Sequence, residues 1–239
     1  MDYDCHVHIG IFKNKTRTFY FEPKTVLNDL KCIGIKEVVL MSTTQNSGIN
    51  SFSEVLQEFT EVEKSQVKIH PGLWCLPEMI SNFDYYVNSY KWEILKIHPY
   101  SQNWKDSELE FVYRYASKNS LPVIIHTGFF RNDSCYRFEK FVKKYADVKT
   151  ILAHGHPVEE AKFMILKYEN CYLDTAFMNP SELNEILDKN TRNKILYGSD
   201  YPVQYAHPYT KKLLSDIDKN KLLLDFFNSN LSLDFFFKK

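Results

Sequence analysis

Glycine is scarce in this chain, with seven in 239 residues against a usual share of about 7%. Each one is therefore worth locating. A charge excess is also missing. Thirty Lys and Arg balance thirty Asp and Glu, and no basic run exceeds Lys143-Lys144 or Lys211-Lys212. That argues against a nucleic-acid partner, which needs a clustered basic surface. No apolar stretch approaches the ~18 residues of a transmembrane helix, so no membrane partner is expected. The five cysteines (5, 32, 75, 135 and 171) are scattered without a CxxC pair, as reduced thiols in a cytoplasmic protein would be. The acidic start, Met1-Asp2-Tyr3-Asp4, does not read as a signal peptide. No GxGxxG follows a strand, so a dinucleotide site has no support.

What is present is an alternation. Short apolar, β-branched runs read as strands near 3–8, 37–41, 67–73, 93–98, 122–126, 150–154, 171–175 and 194–198. The segments between them carry helical spacing. Leu109, Val112, Tyr113 and Ala116 share one face, as do Phe138, Phe141 and Val142. Pro157 and Pro180 stand where first helical turns tolerate proline. The apolar tail, 222–237, is expected to pack as a last helix on the outside. Eight strand–helix units of about 30 residues predict an α/β fold, a (β/α)8 TIM-type barrel forming a single domain over residues 1–239.

In such a barrel, functional side chains sit at the carboxyl ends of strands. The first strand carries Asp4-Cys5-His6-Val7-His8. Residues two apart on a strand face the same way, so His6 and His8 are expected to point inward about 7 Å apart at the backbone, and Cys5 outward to the helices. The fourth strand ends in Lys96-Ile97-His98, the fifth in His126-Thr127-Gly128, the sixth in His154-Gly155-His156 and the eighth in Gly198-Ser199-Asp200. A lone histidine at a strand end is usually a hydrogen-bonded core residue, and a lone aspartate there a cap. The recurrence of such groups at one end of one barrel points to a metal site.

These motifs resemble the amidohydrolase superfamily, in particular its amidohydrolase-2 branch of hydrolases and decarboxylases. The resemblance rests on Asp4-x-His6-x-His8, Lys96-Ile97-His98-Pro99, the run from Leu121 to Gly128, His154-Gly155 and Gly198-Ser199-Asp200-Tyr201-Pro202. The tail around Phe227-Asn228 is also similar to the family's closing helix. The resemblance implies a metallo-dependent hydrolase-like barrel. It implies one divalent metal, zinc by expectation, held by His6, His8, His126 and Asp200. His154 would polarise the substrate, and Asp200 would also shuttle the proton. Zinc suits this donor set, although manganese, nickel or iron could occupy it.

The expected function is hydrolysis of a small-molecule ester, lactone or amide by a metal-activated water. The alternative on the same ligands is non-oxidative decarboxylation of an aromatic or unsaturated carboxylate. A non-catalytic scaffold and a phosphoesterase or nuclease rank lower. Lys96, His98, Arg131 and His156 are the substrate-binding candidates. Lys96 could instead be carboxylated and bridge a second metal. Asp174 is placed to orient a ligand histidine or to cap the following turn, and His70 to serve structure. His207 reads as an exposed loop residue. Trp74, Trp104, Phe129, Phe130 and Tyr201 follow strand ends and could wall the pocket. A homodimer is a possible assembly, with a small molecule as substrate.

Overall fold

A computed structural model describes residues 2–206 together with Leu233 and Phe237. His207 and most of the tail (222–237) therefore lie outside the described residues. All eight expected strands are present: β1 (Tyr3–Lys13), β3 (Glu37–Ser42), β4 (Lys68–Trp74), β5 (Ile94–Ile97), β6 (Val123–His126), β7 (Thr150–Ala153), β8 (Cys171–Asp174) and β9 (Ile195–Leu196). They pair in parallel in that order. Nearly every residue of β5 to β9 is buried, as expected of parallel strands covered on both faces. No expected strand corresponds to β2 (Thr18–Phe21), which folds antiparallel onto the end of β1. Phe12, Phe19 and Phe21 stack there with ring centroids 6.0 to 6.3 Å apart.

The helices are α1 (Pro23–Cys32), α2 (Phe52–Val62), α3 (Phe83–Asn88), α4 (Asp106–Asn119), α5 (Cys135–Lys144), α6 (Val158–Lys167), α7 (Pro180–Ile186) and the single turn α8 (Val203–Ala206). Their starts follow local chemistry. In α7, Asn179 accepts from the Glu182 N–H at 3.0 Å and the Glu182 carboxylate accepts from the Asn179 N–H at 2.7 Å, with Pro180 in the first turn. That is a reciprocal capping box. The buried faces of α4 and α5 include the expected Leu109, Val112, Tyr113, Ala116, Phe138, Phe141 and Val142.

Two apolar layers result. Val38, Leu40, Leu95, Ile97, Val123 and Ile125 join the core shared with the helices. Val39, Met41, Ile94, Ile124, Tyr172 and Leu196 alternate with that outer set and form a separate inner core. Among the described residues, the ends of the parallel ladder also meet. Cys5 N–H donates to Tyr197 O (2.9 Å), Asp200 N–H to His6 O (2.8 Å) and His8 N–H to Tyr201 O (2.7 Å). The fold is an α/β barrel.

Two expectations are corrected. Cys5 belongs to the inner core, not to the helix-facing layer. The cause is an extra residue in β1: Asp4 pairs with Val38 but Val7 pairs with Leu40, so three steps on β1 match two on β3. Such a bulge breaks the alternation of faces, and Cys5 and His6 both turn inward. Likewise, the described tail residues do not pack outside. Leu233 is buried in the inner core, and Phe237 stacks on His70 at 3.8 Å.

Candidate metal centre

Three of the expected ligands converge. His8 Nε2 lies 2.8 Å and His6 Nε2 3.2 Å from Asp200 Oδ1, and all three side chains are buried. His6 Nδ1 lies 2.8 Å from Asp174 Oδ2, and His8 Nδ1 lies 3.3 Å from Met41 O. Both Nδ1 partners are acceptors, so a ring that holds its proton on Nδ1 turns an Nε2 lone pair to the centre. Two imidazole nitrogens and a carboxylate oxygen face one another within 4.8 Å. Two imidazoles with a carboxylate are donors that suit a divalent ion. The residues fit a metal.

Asp174 supplies the surrounding frame. Besides its bond to His6, its Oδ1 accepts from the backbone N–H of His154 (2.9 Å) and of Ala176 (3.0 Å). It therefore both orients a ligand and caps the turn, as carboxylates behind metal-binding histidines do. A second frame was not recognised in the sequence. The Asp4 carboxylate accepts from the His6 N–H (3.0 Å), the Ser199 N–H (3.1 Å) and the Ser199 hydroxyl (2.5 Å). It ties the strand bearing His6 to the segment bearing Asp200. Burial raises the Asp4 carboxyl pKa to about 7. Gly198 closes the packing, since a Cβ there would come within 2.9 Å of Asp174 Cβ and 3.0 Å of His6 Cβ.

His126 is in neither of the donor clusters found among the described residues. Its Nε2 lies 3.7 Å from Asp133, and its ring stacks on His98 at 3.9 Å. It borders the centre through His154, whose ring is 4.7 Å away. His154 itself lies 5.2 Å from the His6 ring, and its Nδ1 is buried without a partner. His154 forms a second possible donor group with His6 and Asp174. His154 and Asp200 have φ of 73° and 57°, left-handed values that non-glycine residues adopt at a cost of about 1 kcal/mol or more and that cluster at functional sites.

The substrate-binding candidates divide. Lys96 is buried, with Nζ 3.2 Å from His6 Nε2. His98 lies between Trp74 and His126 in a stack. Arg131 is exposed on the loop after β6. His156 lies 3.3 Å from Glu182 of α7 and stacks on Phe129. His70 is in neither donor cluster and lies between Glu37 and Glu93 at 2.6 Å each, as a structural role requires.

Burial, followed by neighbouring cations and imidazoles, holds His6, His98, His126 and His154 well below the usual histidine pKa. They are neutral at pH 7, the state in which imidazole binds a metal. Burial alone would raise the Asp200 pKa, but His6, His8 and Lys96 outweigh it and keep the carboxylate ionised. Burial brings the Lys96 pKa down to about 8.

The amidohydrolase family model, of the amidohydrolase-2 type, matches residues 95–223, more than half of the chain. The chain belongs to the amidohydrolase family. Members of this family generally use divalent metals, in keeping with the donor cluster. The search of curated proteins returned no match. Among solved structures, amidohydrolase 2 from Bifidobacterium longum subsp. infantis is similar with a TM-score of 0.65 and 14% identity, over 99% of this chain and 94% of that one. A dihydroorotase from Campylobacter jejuni matches with a TM-score of 0.53 and 11% identity, over 97% and 84%. A D-hydantoinase matches with a TM-score of 0.56 and 12% identity, over 80% of this amidohydrolase and 50% of the other chain. At these identities the likeness establishes the barrel fold. Among the described residues of this amidohydrolase, no helix is long and apolar enough to cross a membrane.

Proposed function

We propose that this amidohydrolase is a metal-dependent hydrolase of a small-molecule ester, lactone or amide, working as one (β/α)8 domain closed at the seam between β1 and residues 197–201. The convergence of His6 Nε2, His8 Nε2 and Asp200 Oδ1 in a buried centre carries this reading, and family membership supports it. His6, His8 and Asp200 would hold the ion, zinc by donor type, with His126 as the adjoining fourth candidate. A divalent ion there acts as a Lewis acid and lowers the pKa of water to about 7.

The chain's own residues supply the rest. Asp174 keeps the His6 lone pair aimed inward. Asp200, ionised at neutral pH, accepts the proton of the attacking water and returns it to the leaving group. His154, neutral and with Nδ1 unpartnered, donates to the substrate carbonyl oxygen and stabilises the charge that develops there.

Decarboxylation would need a cation at the substrate carboxylate. Arg131 is exposed and Lys96 is the buried cation beside the centre, so release of carbon dioxide is the outcome that would favour this alternative. A two-ion variant with carboxylated Lys96 draws on the reach of Nζ to the centre. Metal analysis of the purified protein should give about one divalent ion per chain. Two ions would favour the Lys96-bridged form, and none in folded protein would overturn the reading. Screening lactones, esters, amides and aromatic carboxylates should reveal acid release without carbon dioxide, and Asp200→Asn should abolish it while leaving the fold intact.

A further inference from the structure

Trp74 ends β4 on the inward side, in register with Lys96 across β5. It is 5% exposed, and its indole Nε1 is buried with no hydrogen-bond partner. The ring is fixed in place. His98 stacks on it at 5.3 Å with the planes 8° apart, the His8 ring lies 5.7 Å away, and Lys96 Nζ stands 5.9 Å from its centroid.

An unmade hydrogen bond on a buried donor is costly. Phenylalanine would supply the same stacking surface without that cost. An indole N–H left open on a ring that adjoins the donor cluster through His8 is therefore a group whose acceptor arrives with the ligand. With a buried ammonium 5.9 Å from the ring centroid, the acceptor that gains most is a charged oxygen, since charge-assisted bonds are roughly twice as strong as neutral ones.

We propose that Trp74 is a substrate-recognition residue whose indole N–H donates to an oxygen of the acyl group, and most strongly to a carboxylate oxygen. The acyl-group wording rests on the hydrolase reading, because hydrolysis of an ester, lactone or amide always leaves a carboxylate. The N–H would hold one oxygen of that product and help align the group before cleavage. The flat stack of Trp74 and His98 then sets the side on which a planar substituent lies.

The test uses benzoate as the probe and the full-length, zinc-loaded protein. Calorimetry should show saturable binding that weakens about tenfold in Trp74→Phe, with zinc content unchanged. Site-specific replacement of Trp74 by β-(3-benzothienyl)alanine exchanges N–H for sulfur at constant shape and should weaken binding to the same extent. This second replacement keeps the test decisive if the phenylalanine variant folds poorly. In indole-15N spectra, the resonance absent from Trp74→Phe should move on adding benzoate. That of Trp92, whose N–H is already bonded to Tyr86 O, should stay. Equal affinity without the N–H, a static Trp74 resonance, or no saturable binding would each overturn the proposal. Failure of the hydrolase reading looks different: no divalent ion is taken up, yet benzoate still binds the metal-free protein through Trp74.

Discussion

Asp4 offers a decisive perturbation, because its bonds and its charge pull in opposite directions. Three donors end on its buried carboxylate: His6 N–H, Ser199 N–H and Ser199 O–H. Alanine would leave the two backbone N–H groups unpaired at about 1–3 kcal/mol each, the smaller value suiting the half-buried Ser199. Asp4→Ala should therefore cost about 3 kcal/mol of stability. Asparagine can still accept from both N–H groups through Oδ1 and donate to the Ser199 hydroxyl through Nδ2.

The charge behaves differently. Burial raises the Asp4 pKa from 3.8 to about 7. A group whose folded pKa is raised contributes stability that is fully present below the unfolded pKa and is lost as pH rises through the folded value. The loss from pH 4 to pH 8 is about three pKa units, or about 4 kcal/mol at 1.36 kcal/mol per unit. Asparagine carries no such penalty. Urea unfolding of the metal-free proteins at pH 5 and pH 8 should show Asp4→Asn gaining on the wild type as pH rises and Asp4→Ala losing about 3 kcal/mol at pH 5. If asparagine costs as much as alanine at both pH values, the bonding argument fails. If asparagine gains nothing at pH 8, the charge argument fails.

Gly198→Ala forces a Cβ against Asp174 and His6 and should lower stability by about 1–3 kcal/mol; an unchanged melting temperature would contradict that crowding. His126→Ala should leave metal bound to the His6, His8 and Asp200 donors with reduced affinity, seen as a shifted absorption band in the cobalt-loaded protein. Complete loss of metal would make His126 an indispensable ligand. The four histidines with lowered pKa add stability that is present above the unfolded value of about 6.5 and lost as pH falls below it. Asp4 opposes them with one group between about pH 4 and 7. The urea midpoint of the metal-free protein should accordingly fall from pH 7.5 to 5.5, and a rise would refute the assignment of neutral imidazoles.

Much of the barrel was legible because its signals are local. A run such as Val123-Ile124-Ile125 is apolar at every position, since a parallel strand is covered on both faces. The Leu109, Val112, Tyr113 and Ala116 spacing likewise exposes one helix face to the core. The strand ends then bring His6, His8, His154 and Asp200 to one region. What stayed hidden depends on partners distant in sequence. The β2 hairpin draws on three phenylalanines that meet only after the chain turns. The direction taken by His126 depends on Asp133 and His98. The roles of Asp4 and Ser199 appear only when residues 195 positions apart share a bond across the seam.

The seven glycines show the same division. The sequence put Gly198 beside a proposed ligand, and tertiary packing supplied the reason, an approach of Asp174 and His6 too close for a Cβ. By itself the sequence determined the alternation of strands and helices and the end of the barrel at which the ionisable groups gather, because both follow from local periodicity. The tertiary structure decided which of those groups converge. Convergence required a bulge that turns Cys5 and His6 inward together, and a bulge is defined by the neighbouring strand, not by the residues that form it.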